Sequence, residues 1–505
     1  MGSSAAPALS RHATLACATL TSVALLLSLL TTSHPQRAAH KLALPASIAP
    51  PPLPKLSPES CAALATSWVT RARGVDSRRG EAPALNLTFF LHVPRTAGRT
   101  LFFCALKPAF APSERCLRSY DELRVRDLAK PDCALLSSHD DYRLVDGLPG
   151  NATVVTQMRR PRDRVVSAYE FAVEVAARNT FGRARSRLGL PPRPGRTSTT
   201  HVWPWSVLVP LLAADMDSRW QARGHRRPSR FGHGAAEAHG GGYVNPFVMS
   251  LHDFVRHPTV VDTIHNGATF QLLGLTANDA NFRSGDEGAD ARATEQAAQL
   301  RACTTTPGRA SDILLEYAHA RLEGHVAAVT LTDRLNESVA LLAASLRRPL
   351  SGRAYRTASD RREQEQRERL EQNPSSAAAV DATAMFEAGM PLAQAYHKCV
   401  IRQSDRAKVR RKQAFSLLEY ADGAGFAFQR EVINAPAMTP LLDAIRGANH
   451  MDTALYAHAE RLFDKRRQVR WPLPQVDIVN KSLLSDHVRV STLTGATGSW
   501  PVAAT

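Results

Sequence analysis

The 505-residue chain contains no Cys-x-x-Cys pair, no Cys/His cluster with zinc spacing and no Gly-x-x-x-x-Gly-Lys-Ser/Thr loop. The first two absences speak against a metal site; the third speaks against an ordinary nucleoside-triphosphate hydrolase or kinase. Aromatic residues make up only 6% of the chain, and acids are in deficit, with 46 Asp+Glu against 63 Lys+Arg and a formal charge of +17. Such a surface favours polyanions, acidic peptides or phosphate-bearing cofactors without choosing among them. There is no internal repeat, and 28 Gly and 32 Pro fit neither a collagen-like nor a mucin-like chain. What remains is 44% hydrophobic, enough to build one large domain or two ordinary ones.

Ala13 to Ser33 is a 21-residue stretch without a charge, preceded by Arg11 and His12. Its length suits a helix across a hydrocarbon core of ~30 Å. The layout is that of a signal-anchor, with a cleaved signal peptide as the alternative. It divides the chain into a short cytoplasmic N-terminus (1–12), a membrane segment (13–33), a Pro-rich stem (34–84) carrying Ala49-Pro50-Pro51-Pro52-Leu53-Pro54, a single luminal catalytic domain (85–470) and a tail (471–505). A luminal side agrees with four N-glycosylation acceptors, at Asn86, Asn151, Asn336 and Asn480. Beyond Cys17, the six cysteines Cys61, Cys104, Cys116, Cys133, Cys303 and Cys399 permit up to three disulfides, in pairings that the sequence leaves open.

Within the domain, 87–93, 133–138 and 152–158 read as buried strands, and 99–109 and 165–178 as helices. Strands alternating with helices predict an α/β fold with a parallel sheet flanked by helices and ligands at the carboxyl ends of the strands. The stretches 183–198, 219–243 and 351–378, rich in Arg, Gly, Pro, Glu and Gln, read as disordered insertions. Thr439 to Arg467 reads as one amphipathic helix with Met451, Leu455, Ala459 and Leu462 on its apolar face.

Two basic clusters sit where strands end. Pro94-Arg95-Thr96-Ala97-Gly98 leads into a helix N-terminus, a natural anion site. Arg159, Arg162 and Arg164 lead into a second helix, which carries Ser167. Two separated anion sites on one sheet suit a nucleotide with phosphates at both ends of its nucleoside.

The segment Phe90 to Thr100 resembles the 5′-phosphosulfate loop of Golgi sulfotransferases, and Met158-Arg159-Arg160-Pro161 through Tyr169 resembles their 3′-phosphate motif. Arg118-Ser119-Tyr120-Asp121, Ser138-His139-Asp140-Asp141-Tyr142, Tyr169 to Arg178, Trp203-Pro204-Trp205, Ile264 to Gln271 and Asn449, Asp452, Leu455 and Tyr456 extend the likeness. Together they look like the plant-type tyrosylprotein sulfotransferases, themselves similar to the heparan sulfate 6-O-sulfotransferases. The resemblance implies a P-loop-like sulfotransferase fold. It also implies 3′-phosphoadenosine 5′-phosphosulfate (PAPS) as sulfuryl donor, no metal, a Golgi membrane location and secreted acceptors with acidic residues near tyrosine, but no nucleic-acid partner. It assigns His139 as general base and Arg95 to the leaving group, with Thr96, Gly98, Arg99 and Thr100 around the 5′-phosphosulfate and Arg159 and Ser167 on the 3′-phosphate. Asp140 and Asp141 are expected beside His139, where they orient or tune its ring, and near the acceptor; His265 and Asn266 are expected to line the acceptor cleft, with a turn-forming role as the alternative; Trp203 and Trp205 are expected in packing, and His92 in a structural role. A polysaccharide O-sulfotransferase and a non-catalytic luminal polyanion-binding protein are the alternatives. The sequence departs from the family at Arg95, usually Lys, and at Arg160, usually Asp; the plant enzymes also carry their membrane helix at the C-terminus, a run absent from 481–505.

Overall fold

The computed structural model describes residues 55–116, 133–148, 150–181, 199–229, 241–278, 287–348 and 392–470. The expected membrane segment, the insertions 183–198 and 351–378, the motif 118–121, Asn480 and the tail lie outside the described residues. Among the described residues no helix is long and apolar enough to cross a membrane.

Four parallel strands form the centre: β1 (Ala84–Leu91), β2 (Leu135–Ser138), β3 (Asn151–Met158) and β4 (Val326–Leu331), in the order β2-β1-β3-β4. The three expected strands are present, and β4 was not anticipated. Because β2 lies on one side of β1 and β3 on the other, the sheet reverses its winding between β1 and β3. In open α/β sheets the ligand crevice opens at the carboxyl ends of such a pair, and both basic clusters emerge there.

Alternate strand residues face opposite layers, as the pleat requires. Phe89, Leu91, Val154 and Met158 pack with α1 (Pro58–Glu81) and with the later helices of one layer, whereas Phe90, Leu135, Val155 and Ala328 pack under the helical segment 98–109. A third apolar cluster joins α2 (Pro161–Thr180) to α3 (Trp205–Ala222). Trp205 is buried there with its ring 4.6 Å from that of Phe171, and Trp203 is buried too, so both are packing residues as expected.

Three expectations change. The stem does not reach residue 84: Ser57 caps α1, Pro58 opens it, and Cys61, Ala65 and Val69 recur every fourth residue into the core. The domain therefore begins near residue 57. Part of the 219–243 stretch is also structured, since α3 runs to Ala222 and Tyr243 is fully buried, donating to Glu170 Oε1 at 2.7 Å. Finally, 439–467 is two helices, α8 (Thr439–Ala448) and α9 (His450–Arg470), broken at Asn449. The Asn449 side chain turns back to donate to the Ile445 carbonyl and accepts the amide of Asn266. The predicted apolar face of α9 is buried throughout.

The six cysteines form Cys61–Cys303, Cys104–Cys399 and Cys116–Cys133. The first ties α1 to the chain before α4 (Arg309–Gly324); the second ties the segment 98–109 to α5 (Leu392–Phe415).

Arg164 and Asp452 form an almost fully buried ion pair at 2.9 Å between α2 and α9. Arg164 also donates to the Ile264 carbonyl, and Asp452 accepts the amides of Ala268 and Thr269 and the Thr269 hydroxyl. Removing one partner strands the other charge without water. Asp452→Ala is expected to lower stability by roughly 3–5 kcal/mol, read from the urea midpoint of the full-length protein; a loss under about 1 kcal/mol, the scale of an exposed pair, would refute this role.

Candidate active site

The strand-to-helix turn after β1 has an unusual backbone. Arg95 and Ala97 both occupy left-handed conformations, with φ of 68° and 61°. Thr96 between them is fully buried; its hydroxyl donates to the Val93 carbonyl at 2.8 Å, and its own carbonyl accepts from Thr332. The Thr332 hydroxyl also lies 3.0 Å from the Met158 carbonyl, linking the ends of β1, β3 and β4. Gly98 follows in helical conformation, and its role is spatial: a Cβ there would lie 2.1 Å from the His92 ring. Thr100 is half-buried in the first helical turn, and Arg99 is exposed, its guanidinium 4.9 Å over the Phe103 ring.

Arg95 reaches across the crevice to α2, donating from Nε and Nη2 to Ser167 Oγ at 3.0 and 2.8 Å and lying 4.5 Å over the Phe171 ring. Arg159 donates to the Arg95 carbonyl at 3.1 Å. The two expected anion sites are thus one continuous surface, with Arg95, Arg159 and Ser167 converging. Burial, followed by the neighbouring charges of Arg411 and Arg159, pulls Arg95 down to about 10, which leaves it cationic at neutral pH. Arg159 is lowered too, chiefly by burial. Like charges held this close favour an anionic ligand. Arg160 plays no part in the cluster: it is exposed at the start of α2 and pairs with Asp333 at 3.2 Å.

His139, just past β2, is half-buried with its ring centroid 4.1 Å from that of His92. Burial lowers its pKa to about 4, so the neutral imidazole prevails at neutral pH. His92 is held well below its usual value by burial and then by the charges of His139, Arg95 and Arg99, which places the four groups in one electrostatic neighbourhood. His92 fills the space under Gly98 and lies against His139.

The remaining expected site residues turn inward. Asp141 is fully buried, and its carboxylate is occupied by Arg143, the Thr276 hydroxyl and the Thr276 amide. Asp140 accepts from the Ser138 hydroxyl and from Asn278. Both hold the loop that carries His139 rather than an acceptor. Asn266, with φ of 50°, accepts the amides of Met451 and Asp452 and so secures the start of α9. His265 is buried beside Arg164, and burial lowers its pKa to about 4. The polar atoms of Asp140, Asp141 and Asn266 are engaged inside the fold, which fits the orienting and turn-forming alternatives rather than contact with an acceptor.

Several important residues escaped the sequence reading. Gln271, on α6 (Gly267–Leu273), donates to the carbonyls of His92, His139 and Asp140 at 3.0 to 3.2 Å. Glu170 and Glu174 line α2 beside Phe171; Glu170 accepts from Arg430, and Arg411 of α5 lies 3.5 Å from Glu170 and 3.8 Å from Glu174. The i, i+4 spacing of the two glutamates within the quoted Tyr169–Arg178 segment was the available signal; the α5 arginines lie far along the chain and carried none.

Among the described residues no group of His, Cys, Asp and Glu is arranged to hold a metal ion. Over 293 residues the chain is 35% identical to the protein-tyrosine sulfotransferase of Arabidopsis thaliana, an alignment covering 56% of this chain and 54% of that protein. The chain thus spans about half the length of the curated relative it matches. No protein-family model and no solved structure matches it.

Gly98→Ala is expected to drive the His92 ring and the loop apart and to lower stability by about 1–3 kcal/mol. Adding His92→Ala removes the obstructing ring and should restore part of that loss. Urea denaturation of both variants checks this, and an unaltered Gly98→Ala would refute the packing argument.

Proposed function

We propose that the protein is a PAPS-dependent protein-tyrosine sulfotransferase. The observation that carries the reading is the convergence of Arg95, Arg159 and Ser167 at the winding reversal of the sheet, with His139 at the adjacent strand end. The similarity to a protein-tyrosine sulfotransferase supports it, and nothing found favours the polysaccharide or non-catalytic alternatives.

The residues present fit the donor: Ser167 and Arg159 suit a 3′-phosphate, while Arg95, Thr96, Gly98, Arg99 and Thr100 surround the place for a 5′-phosphosulfate. Bound PAPS supplies the sulfuryl group, whose bond to the 5′-phosphate breaks as a bond to the tyrosine oxygen forms. The chain's own contribution is positioning and charge stabilisation. Arg95 carries the cation beside the departing phosphate oxygen; with its fork on Ser167, it is held by geometry that a Lys ammonium would not reproduce. His139 takes the phenolic proton at Nδ1 or Nε2 as the new S–O bond develops. Its low pKa keeps it unprotonated over a wide pH range, at the expense of basicity.

Acceptors are secreted proteins or peptides whose tyrosines lie near acidic residues, in keeping with the +17 charge. The compartment is the Golgi lumen, with anchoring through 13–33. Three disulfides and the exposed acceptors Asn86 and Asn151 favour that side.

The test is transfer of labelled sulfate from PAPS by the full-length protein to an acidic Tyr peptide, its Tyr→Phe counterpart and a desulfated glycan. Label on the Tyr peptide alone is expected; label on the glycan alone, or on nothing, would overturn the reading. His139→Ala should abolish transfer while leaving 3′-phosphoadenosine 5′-phosphate binding within about twofold. In the wild type, the acid limb of kcat/KM, which reports the free enzyme, should fall near pH 4 rather than near the ordinary His value of ~6.5. The sign follows from the neutral imidazole being the active form: activity is present above the lowered pKa and lost as pH falls through it. A limb near 6.5 would refute the burial-lowered pKa of His139, and transfer retained by His139→Ala would exclude it as the base.

A further inference from the structure

Helix α5 spans both halves of the candidate site. At one end the Cys104–Cys399 disulfide fixes it to the segment that follows the Arg95 loop; towards the other, Arg411 reaches Glu170 and Glu174 on α2. The helix is therefore held in place against the two elements that carry the anion-binding residues.

The acids and bases in this region do not balance. Glu170 is engaged by Tyr243, Arg430 and Arg411, and Glu174 by Arg178 and Arg411. Both carboxylates are thereby committed. Arg410, next to Arg411 and half-buried, joins no ion pair or hydrogen bond among the described residues. Burial and the charges of Arg99, Arg178 and Arg406 all disfavour its own charge, with Glu174 the opposing influence. Arg406, one helical turn earlier, is exposed. Arg410 makes no hydrogen bond or ion pair with Ser167 or Arg159 among the described residues; its charged neighbours are Arg99 of the loop, Glu174 and Arg178 of α2, and Arg406.

We propose that Arg410, with Arg406 beside it, is a specificity-determining anion subsite that receives a carboxylate of the acceptor peptide. This assignment rests on the protein-tyrosine reading above. A carboxylate is favoured over a cofactor phosphate because Arg95, Arg159 and Ser167, the residues suited to the cofactor's two ends, are joined to one another, and Arg410 is bonded to none of them. An acidic side chain flanking the target tyrosine would supply the partner that the fold itself withholds.

The test uses the full-length protein, saturating 3′-phosphoadenosine 5′-phosphate and two labelled peptides that differ only in having Glu or Gln beside the tyrosine. Binding is read by anisotropy, so it needs no turnover, and transfer kinetics are measured in parallel. The wild type is expected to prefer the Glu peptide. Arg410→Ala should weaken Glu-peptide binding and raise its KM about fivefold, leaving kcat and the Gln peptide within about twofold, and Arg410→Lys should recover part of the preference. An unchanged Glu/Gln ratio in Arg410→Ala, or no preference in the wild type, overturns the subsite. Weaker 3′-phosphoadenosine 5′-phosphate binding with an unchanged ratio overturns it in favour of the cofactor as the anion's source. Binding preference without transfer to either peptide would instead defeat the catalytic reading and leave the subsite standing.

Discussion

The buried Arg164–Asp452 pair is the constraint through which the two halves of the site are registered. Arg164 belongs to the first turn of α2, the helix that presents Ser167, and Asp452 belongs to α9. By accepting the Ala268 and Thr269 amides, Asp452 also fixes the beginning of α6. That helix places Gln271, whose single amide group bridges three carbonyls on the loops carrying His92 and His139. A continuous set of polar contacts therefore runs from the last helix to the helix that presents Ser167 on one side and to the loop that carries His139 on the other. The ion pair need not add net stability over an apolar pair of the same shape. Its value is directional: charge-assisted hydrogen bonds specify angles as well as proximity, and catalysis by positioning depends on angles.

Around the crevice the chain holds an arrangement that works against itself electrostatically. Arg95, Arg159, Arg411 and Arg430 approach one another with Glu170 and Glu174 as the nearby acids, and burial first, then the neighbouring guanidinium charges, lowers the pKa values of Arg95 and Arg159. A cluster of this kind persists only if neutral parts of the fold over-determine it. Here they do: the apolar cluster of α2 and α3 fixes one wall, and the Cys104–Cys399 link, which joins residues 295 apart in sequence, fixes the other. Preorganised cations need no reorganisation when charge moves towards them.

The sheet and the two anion motifs were legible because their signals are local. A buried strand ending in a basic turn before a helix can be recognised within about a dozen residues, and β1 and β3 both have that form. The strand β4 lacked any such signal after it, since Thr332-Asp333-Arg334 reads as an ordinary turn. The choice between an acceptor-facing and an inward role for Asp140, Asp141 and Asn266 was not legible for a related reason. Polar residues near a catalytic His look alike in sequence whether they face a substrate or the backbone; only the positions of Thr276, Asn278 and Met451, far along the chain, decide the matter. The break at Asn449 was hidden similarly: the helical period continues through it, and the reason to stop is a partner at Asn266, 183 residues away. The α5 arginines have no local signature because their meaning comes from Cys104, Glu170 and Glu174, all supplied by earlier segments.

The turn at 95–97 shows how a strained backbone serves this chemistry. A left-handed conformation costs a non-glycine residue about 1–2 kcal/mol, and the loop adopts it twice. A single glycine at either position would relieve the strain, but at 95 it would remove the guanidinium that crosses to Ser167. The bonds of Thr96 to Val93 and Thr332 hold the residue between the two strained ones, so the turn cannot relax by rotating its middle peptide outward. The result is a side chain leaving the strand end in one direction and a helix beginning in another, with Gly98 the only residue small enough to pass the His92 ring. Arg95 is thereby aimed by the backbone rather than by its own flexible stem.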